Sequence, residues 1–351
     1  MKKLIALTLA LTLCVCSTSV LAASQTPTEE TNQTAENREL VLGTLSLLNM
    51  NEEDYIARME GKHIAAKYLA EQGAYHSDKD ISKMPEVSGV IFFDTLDAML
   101  MALEAGDITS AEIPVCVADY LCSHNDRLKT RGSFDLSNAD DFTKQVAYRL
   151  GVGFSFLTTE DKADLRDEID QALTEMKSDG ILDALVQTYI TDAVNGEPEP
   201  VEFTKTDGET IRVAVTGSLP PMDYVAADGT PAGFNTAILA ELGKRMNKNF
   251  ELVQVDSLGR AAALASGQVD LVFWTNGDDG RCKGGRQTVE EHTAFVEEDI
   301  EQRRISEEQH ELMQAIGGGI DYEKAQNQDI PDGTIITQPY FSDLLVAVAL
   351  K

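Results

Sequence analysis

The stretch of sequence that decides the fold is residues 211–234, which read IRVAVTGSLPPMDYVAADGTPAGF. The apolar run over 211–215 predicts a buried strand, and Asp228-Gly229 predicts the turn of a hairpin. Apolar residues at helical spacing follow, and another strand is predicted over 250–255. Strands that alternate with helices in this way indicate an α/β fold with parallel strands.

The same alternation occurs earlier in the chain. Apolar runs at 40–43 and 90–93 predict two strands, and the helix after the second strand is predicted to end at Gly106. A strand over 151–157 is followed by a helix that is predicted to begin at Thr158. The chain therefore carries two α/β blocks of comparable length.

A break in periodicity separates the two blocks. Residues 195–200 combine two prolines with a glycine, which indicates a linker, placed here at 193–207. Later in the chain, the acid-rich stretch at 283–330 has few large apolar residues and predicts a solvated helical insertion. The apolar run at 344–350 then predicts a buried strand.

The composition excludes several classes of protein. With 351 residues, 43% of them hydrophobic and 25% charged, the chain is long enough for two domains and is not wholly disordered. Its 29 basic residues against 59 acidic ones give a net charge of −30, which repels phosphate backbones, so no nucleic-acid partner is expected. No apolar run beyond the amino-terminal one approaches the roughly 20 residues that span a bilayer.

The amino terminus has the pattern of an export signal. A basic start precedes an apolar run, and small residues around Ala22 offer a cleavage site, so residues 1–23 are predicted to be a signal peptide. A lipoprotein signal would need a small residue before Cys14 or Cys16, and neither cysteine has one. We expect a soluble exported protein, in the periplasm or outside the cell, with 24–38 as a disordered tether. Any attachment to the cell surface would come through the leader.

No catalytic pattern stands out in the sequence. The five histidines contain no His-x-x-x-His pair, and neither a Gly-x-Ser-x-Gly motif nor a phosphate-binding loop occurs. Beyond the leader, Cys116, Cys122 and Cys282 are too few for a disulfide scaffold and are not spaced as a zinc site. The sequence therefore predicts neither an enzyme nor a bound metal or cofactor.

Several short motifs occur along the second block. They are RVAV at 212–215, LPPM at 219–222, Asp228-Gly229, Gly233-Phe234, the pattern Ala263-Leu264-x-Ser266-Gly267-x-Val269-Asp270, and PYFSD at 339–343. With these motifs the block resembles the first lobe of type II periplasmic solute-binding proteins of the polar amino-acid kind. The resemblance implies a two-lobed, periplasmic-binding-protein-like α/β fold. It also implies lobe closure around a small polar ligand, an amino acid among the candidates, for the permease of an ABC importer.

The order of the two blocks differs from the order in that family. In the family the hinge strand leads into the second lobe, whereas here it ends the chain, and the first block, with Gly43-Thr44 in a strand-to-helix turn, resembles that second lobe. The sequence is therefore interpreted as a circular permutant, with lobe II at 39–150, a returning strand and helices on lobe I at 151–192, and lobe I at 208–351. We expect the last strand to lie beside Leu40 and the chain to cross between the lobes once, around 142–154.

The resemblance also implies which residues hold the carboxylate of a ligand. Arg281 lies near the position of the family's ligand arginine, but the threonine that precedes that arginine by three residues is missing here. Thr44 and Ser46 stand where the helix of lobe II begins, so their hydroxyl and amide groups could bind an anion. The alternatives are a solvated loop arginine and two helix-capping hydroxyls.

Three further residues are candidates to line the cleft. Tyr224 and Trp274 could cover a ligand with their rings, although core packing is an equal alternative, and Thr275 could hydrogen-bond a ligand or cap a strand end. Two positions that carry acids in the family are Ala237 and Pro114 here. The sequence therefore lacks the usual partners of a ligand α-ammonium group.

Two other functions remain open from the sequence. Cyclohexadienyl dehydratase-like enzymes resemble the same family, but they need a site acid that this sequence does not identify. A sensory or protein-binding module that takes no solute is the other alternative. The missing partners for an ammonium group favour that module mildly.

Overall fold

A computed structural model describes residues 40–45, 52–81, 87–196, 198, 200–226, 228–276, 306–317 and 331–351. The strands are β1 (Leu40–Leu45), β2 (Tyr75–Ser77), β3 (Val87–Phe93), β4 (Ser110–Pro114), β5 (Leu128–Thr130), β6 (Gly132–Phe134), β7 (Gly151–Thr159), β8 (Thr210–Val215), β9 (Ser218–Leu219), β10 (Asp223–Val225), β11 (Pro231–Ala232), β12 (Asn249–Gln254), β13 (Leu271–Asn276), β14 (Thr334–Ile336) and β15 (Phe341–Leu350). The helices are α1 (Glu52–Glu71), α2 (Leu96–Ala105), α3 (Val115–His124), α4 (Asp141–Tyr148), α5 (Ala163–Ser178), α6 (Ile181–Val186), α7 (Phe234–Met246), α8 (Gly259–Ala265) and α9 (Glu307–Gly317).

A ten-stranded sheet organises the molecule. Its main path runs β12-β8-β13-β7-β15-β4-β1-β3, with β14 paired to β7 and β5 paired to β15. The β12–β8–β13 strands are parallel to one another, as are β4–β1–β3, whereas β7 and β15 are antiparallel to their neighbours. The predicted strands in both blocks and the mixed α/β fold are confirmed.

Strand β15 joins the two halves of this sheet. Its first residues pair with β7, from Phe341 opposite Phe154 to Leu344 opposite Gly151. Its later residues pair with β4, beginning with Leu345 opposite Pro114. We call the half containing β4, β1 and β3 lobe II, and the half containing β7, β13, β8 and β12 lobe I.

The strand arrangement corrects two expectations. Strand β15 does not lie beside β1 near Leu40, because β4 stands between them and pairs with both. Because α9 of the insertion packs against α1 of lobe II before β14 returns to β7, the described part of the chain also passes between the lobes more than once. It passes from α4 into β7 at Gly151, and it passes back within β15, which starts against β7 and ends against β4 and β5.

Local signals set the ends of the helices. Thr95 caps α2 by accepting a hydrogen bond from the amide of Ala98, and Gly106 ends the helix with φ of 83°, as predicted. The prediction that a helix begins at Thr158 is wrong. Strand β7 continues through Thr158, which lies opposite Ile335 of β14, and α5 begins at Ala163. Strand pairing thus overrides the capping tendency of threonine.

One apolar core cluster runs through both lobes. In lobe I, Ile169 and Leu173 of α5 belong to the same cluster as Ile211 of β8 and Ile238 of α7. In lobe II, Ile113 of β4 and Met99 of α2 belong to it as well. The helices at 163–186 thus pack on the sheet of lobe I, although β8 follows them in the chain.

The acid-rich insertion is only partly solvated. Its described residues form α9, in which Met313 and Ile316 are buried against α1 in a cluster with Leu69. A Cβ atom at Gly61 of α1 would come within 1.9 Å of the carbonyl oxygen of Ile316, so only glycine allows this approach. The expectation of a wholly solvated insertion is therefore wrong for this segment. Within the described residues, no helix is both long and apolar enough to cross a membrane.

Candidate functional site

The carboxyl ends of the parallel strands in both lobes meet near the middle of β15. Strand β4 of lobe II ends at Pro114, opposite Leu345. Strand β13 of lobe I ends at Asn276, opposite Gly153 of β7, and Gly153 itself lies opposite Ser342 of β15. Ligands of α/β proteins bind at the carboxyl ends of strands. The face between the lobes at this point, here called the junction, is therefore the candidate site.

Lobe II brings the start of α3 to the junction. The Asp343 side chain from β15 accepts a hydrogen bond of 2.7 Å from the backbone amide of Cys116 in the first turn of this helix. Burial raises the pKa of Asp343, and the hydrogen bond opposes that rise. A carboxylate is favoured at a helix amino terminus, and here the chain supplies its own.

Lobe I brings polar groups that are satisfied within the lobe. The buried carboxylate of Asp223 accepts hydrogen bonds from the amides of Thr216 and Gly217 at 2.9 and 3.1 Å. Burial raises the pKa of Asp223, and these bonds partly offset the rise. The Tyr340 hydroxyl donates to Asn235 Oδ1 at 2.8 Å. These polar groups fix the shape of the lobe I surface.

Sulfur atoms and aromatic rings make contacts across the junction. The Sγ atom of Cys116 lies 3.7 Å from the Sδ atom of Met222. The rings of Tyr120 on α3 and Tyr224 on β10 have centroids 6.5 Å apart, tilted by 40°. Burial raises the pKa of the Cys116 thiol well above its usual range. The described junction therefore offers thioether, thiol and aromatic surface around a few fixed polar groups.

The residues predicted from the sequence fall into separate places. Tyr224 lies at the junction, and Thr275 lies at the end of β13, opposite Phe154. Thr44 lies near the end of β1, and its hydroxyl bonds to Tyr55 of α1, next to Glu112. Among the described residues, the contacts given for Tyr224 and for Thr44 therefore involve different neighbours.

Trp274 packs in the core, on the face of β13 opposite to that of its neighbour Thr275. It is 4% exposed and belongs to a cluster with Leu157 and Leu264. The guanidinium carbon of Arg260 lies 5.2 Å from the ring centroid, a cation–π distance. The indole nitrogen has no hydrogen-bond partner among the described residues. Ser46 and Arg281 lie outside the described residues.

Sequence reasoning missed several residues at the junction. Met222 and Asp343 belong to motifs that were recognised, but the sequence does not indicate that they contact α3. Cys116 and Tyr120 are spaced four residues apart, which indicates only that they share a helix face. Asp343 and Cys116 are 227 residues apart in the chain, so only the tertiary structure shows their contact.

A family model matches one part of the chain. Residues 211–283 match the bacterial extracellular solute-binding proteins, family 3. This segment covers β8 to β13 and extends to Arg281, the arginine proposed from the sequence. The resemblance to solute-binding proteins is confirmed over this segment. No curated protein matches the chain.

Several solved structures match the chain at low similarity. NikA from Staphylococcus aureus in complex with Ni(L-His)2 is 13% identical, with a TM-score of 0.35 over 75% of this chain and 57% of that one. The P235GK mutant of ArgBP from T. maritima is 11% identical, with a TM-score of 0.32 over 91% of this chain and 85% of that one. A phosphate-binding protein from Streptococcus pneumoniae is 10% identical, with a TM-score of 0.29 over 89% of each chain. The match spans little more than half of NikA, and we infer no ligand from likenesses this distant.

Proposed function

We propose that this protein is a solute-binding protein that captures a small polar ligand at the junction and delivers it to the permease of an ABC importer. The family 3 match over residues 211–283 carries the proposal, because this segment forms the strands of lobe I that end at the junction. The class is one of binding proteins, so we propose no catalysis. An amino acid is one candidate ligand.

Capture would proceed by movement of the lobes about the connections formed by β7 and β15. The chain passes between the lobes before β7 and within β15, and these adjacent antiparallel strands form the natural hinge. Lobe I would contribute Tyr224, Thr275 and Arg281, and lobe II would contribute Thr44 and Ser46. Trp274, which packs in the core cluster with Leu157 and Leu264, would support the end of β13 from below. Because Ala237 and Pro114 replace the acids of the family, the carboxylate end of a ligand would supply most of the recognition.

Delivery to a permease requires export, which we assign to the leader at residues 1–23. The mature protein would begin near Ala23 or Ser24 and would act in the periplasm or outside the cell. Intact-mass spectrometry of the secreted protein tests this assignment. Detection of a diacylated Cys14 or Cys16 would show that the protein is lipid-anchored and would contradict the soluble form.

We further propose that the chain is a circular permutant of the family order. The support is that α5 shares a core cluster with β8 of the family match, although α5 precedes β8 in the chain. Moving residues 208–351 ahead of residues 40–192 with a flexible linker tests this proposal. The rearranged protein should show the same cooperative unfolding transition. Loss of cooperative unfolding would contradict the permutation.

One alternative function is favoured by a specific observation. Protein side chains already meet across the described junction, Cys116 with Met222 and Tyr120 with Tyr224. Asp343 also occupies the start of α3, where a ligand carboxylate could otherwise bind. These contacts favour a sensory or protein-binding module, because such a module binds no solute and needs no cleft between the lobes.

A ligand panel distinguishes the two functions. The mature protein would be heated with each amino acid and with other small polar solutes, and hits would be measured by calorimetry. We expect one ligand to raise Tm. Arg281→Ala should weaken its binding about tenfold or more, as expected for the loss of charge-assisted hydrogen bonds, and Tyr224→Ala should weaken it by removing a ring that covers the ligand. Tyr148→Ala removes an exposed tyrosine on α4 and serves as the control. A panel without any stabilising solute would favour the module.

The dehydratase alternative needs a separate assay. The protein would be incubated with prephenate and with arogenate, and the aromatic product would be followed by absorbance. We expect no product above the uncatalysed rate. Turnover that is lost on heating the protein would contradict the assignment as a binding protein.

A further inference from the structure

Lobe II contains a cavity that takes no part in the junction. It has a volume of about 590 Å³ and lies between α1 and the sheet. Its floor includes Leu42 of β1 and Ser110 of β4, and Met59 of α1 lines the opposite side. Ser110 is the first residue of β4, whereas the junction lies at the last residue, Pro114. The cavity is therefore a separate site within one lobe.

The walls of the cavity are mainly aliphatic. Leu42, Ile56, Met59, Val87 and Leu345 contribute methyl and methylene surface. A volume of this size lies within the range of small-molecule sites, which are mostly apolar with a few fixed polar groups. Apolar ligand surface that leaves water here stabilises the complex in proportion to its area. The walls therefore favour a ligand with an apolar body.

The one buried acid in the cavity wall is already neutralised. Glu112 Oε2 lies 2.8 Å from the ammonium nitrogen of Lys62, and the Tyr55 hydroxyl donates to the same carboxylate. The side chains of Lys62 and Glu112 are only 11% and 9% exposed. Burial lowers the pKa of Lys62, and the charge of Glu112 opposes that effect. Glu112 is thus committed to protein partners and is not available to a cationic ligand.

A second cation lines the cavity and is held in place. The Arg131 Nε–H donates to the Oγ atom of buried Ser110 at 3.0 Å, and the backbone amide of Arg131 donates to the carbonyl of Ala347 at 2.8 Å. The guanidinium Nη1 atom lies 4.0 Å from Asp78 Oδ2, beyond hydrogen-bond distance. Asp78 instead accepts a bond of 2.8 Å from Lys129. The guanidinium of Arg131 therefore remains suited to a second anion.

We propose that this cavity binds a small amphipathic carboxylate. Its apolar body would lie against the aliphatic walls, and its carboxylate would pair with the Arg131 guanidinium. Ser110 and Glu112 lie on the same face of β4 and about 7 Å apart along the strand, so the head group would sit beside Arg131 and away from Glu112. Glu60 and His63, which are exposed, line the outer side and do not compete for Arg131.

The inference does not rest on the proposed function. Every lining residue belongs to lobe II or to the part of β15 that pairs with lobe II. A ligand here would therefore bind whether or not a solute binds at the junction. Loss of junction binding in Tyr224→Ala should leave the cavity ligand unaffected.

Titration with decanoate tests the proposal, with 1-decanol as the neutral probe of equal chain length. Calorimetry on the mature protein, below the concentration at which decanoate forms micelles, should show decanoate binding at least tenfold more tightly than 1-decanol. Arg131→Met should lower the affinity for decanoate at least tenfold. Arg127→Met, which removes an exposed cation that pairs with Glu104 and does not line the cavity, should change it by less than twofold.

A cavity-filling variant keeps the test independent of charge. Met59→Trp places a larger side chain in the cavity and should weaken the binding of both probes at least tenfold. The proposal is overturned if decanoate gives no heat and no rise in Tm at millimolar concentration. It is also overturned if 1-decanol binds as tightly as decanoate, or if Arg131→Met and Arg127→Met have equal effects.

Discussion

The two lobes share one architecture but treat their buried charges differently. In lobe I, Asp270 pairs with Arg212 and Lys162, whose side chains remain 40% and 34% exposed. In lobe II, Lys62 and Glu112 are both almost fully buried beside a cavity. A buried ion pair seldom stabilises a protein more than apolar residues of the same volume would. The pair in lobe II therefore points to a role in shaping the cavity rather than to stability.

The largest expected effect comes from breaking the pair in lobe II. Glu112→Leu leaves the ammonium group of Lys62 buried without its partner, and we expect it to lower the free energy of unfolding by about 3–5 kcal/mol. Urea denaturation followed by circular dichroism measures the change. The double variant Lys62→Met with Glu112→Leu should recover most of the loss. If the double variant is no more stable than the single one, the buried charge is not the cause.

The next effect concerns the contact between the lobes. Met222→Ala removes the side chain that meets Cys116 across the junction and should cost about 2–5 kcal/mol, as for other buried truncations. Val225→Ala, at a position that is 50% exposed on the same hairpin, is the control and should change stability by less than about 0.5 kcal/mol. Equal effects of the two variants in urea denaturation would show that the lobes do not stabilise each other through Met222.

The ion cluster of lobe I should have a smaller effect, and it should depend on pH. Although burial acts to raise the pKa of Asp270, hydrogen bonds from Arg212 and Lys162 lower it to about 2. Because the folded pKa lies below the unfolded value, the stabilisation is present at neutral pH and is lost as the pH falls from about 4 through 2. Asp270→Asn should cost about 2 kcal/mol at pH 7 and much less at pH 2.5. An effect of equal size at both pH values would contradict this assignment.

The smallest expected effect is a stabilisation, whereas the variants above destabilise the protein. Burial beside Gln338 raises the pKa of Asp170 to about 6, although the amide of Gln338 donates to its carboxylate at 2.8 Å. Because the folded pKa lies above the unfolded value, stability from this group is present below pH 4 and is lost as the pH rises through 6. Asp170→Asn should therefore stabilise the protein by about 1 kcal/mol at pH 8, measured by Tm, and should have little effect at pH 4. Destabilisation at both pH values would contradict the raised pKa.

Regular elements could be predicted because their signals are local. The capping residue Thr95 and the glycine at 106 bound a helix within twelve residues, and the apolar runs of β1, β3 and β8 are continuous. Thr158 misled the prediction because its pairing partner, Ile335, lies far along the chain. The burial of Met313 and Ile316 could not be predicted either, since their acid-rich neighbours suggest solvent and only the glycine at 61 permits the contact.

The candidate site was predictable only in part. The motifs around Met222 and Tyr340 indicate a resemblance to solute-binding proteins, and the match over residues 211–283 confirms it for the segment that contains Met222. The Asp343 contact with the amide of Cys116 and the cavity beside Arg131 depend on residues that are distant in sequence. No local pattern indicates such contacts, because they form only when distant parts of the chain pack together.

Hydrogen–deuterium exchange with and without the ligand found by the panel tests the central claim most directly. The account predicts slower exchange in two segments at once, the first turns of α3 in lobe II and the 216–226 segment in lobe I, because both face the junction. Tyr224→Ala should abolish the protection in both segments. Protection confined to a single lobe, or no protection by any solute in the panel, would contradict capture between the lobes.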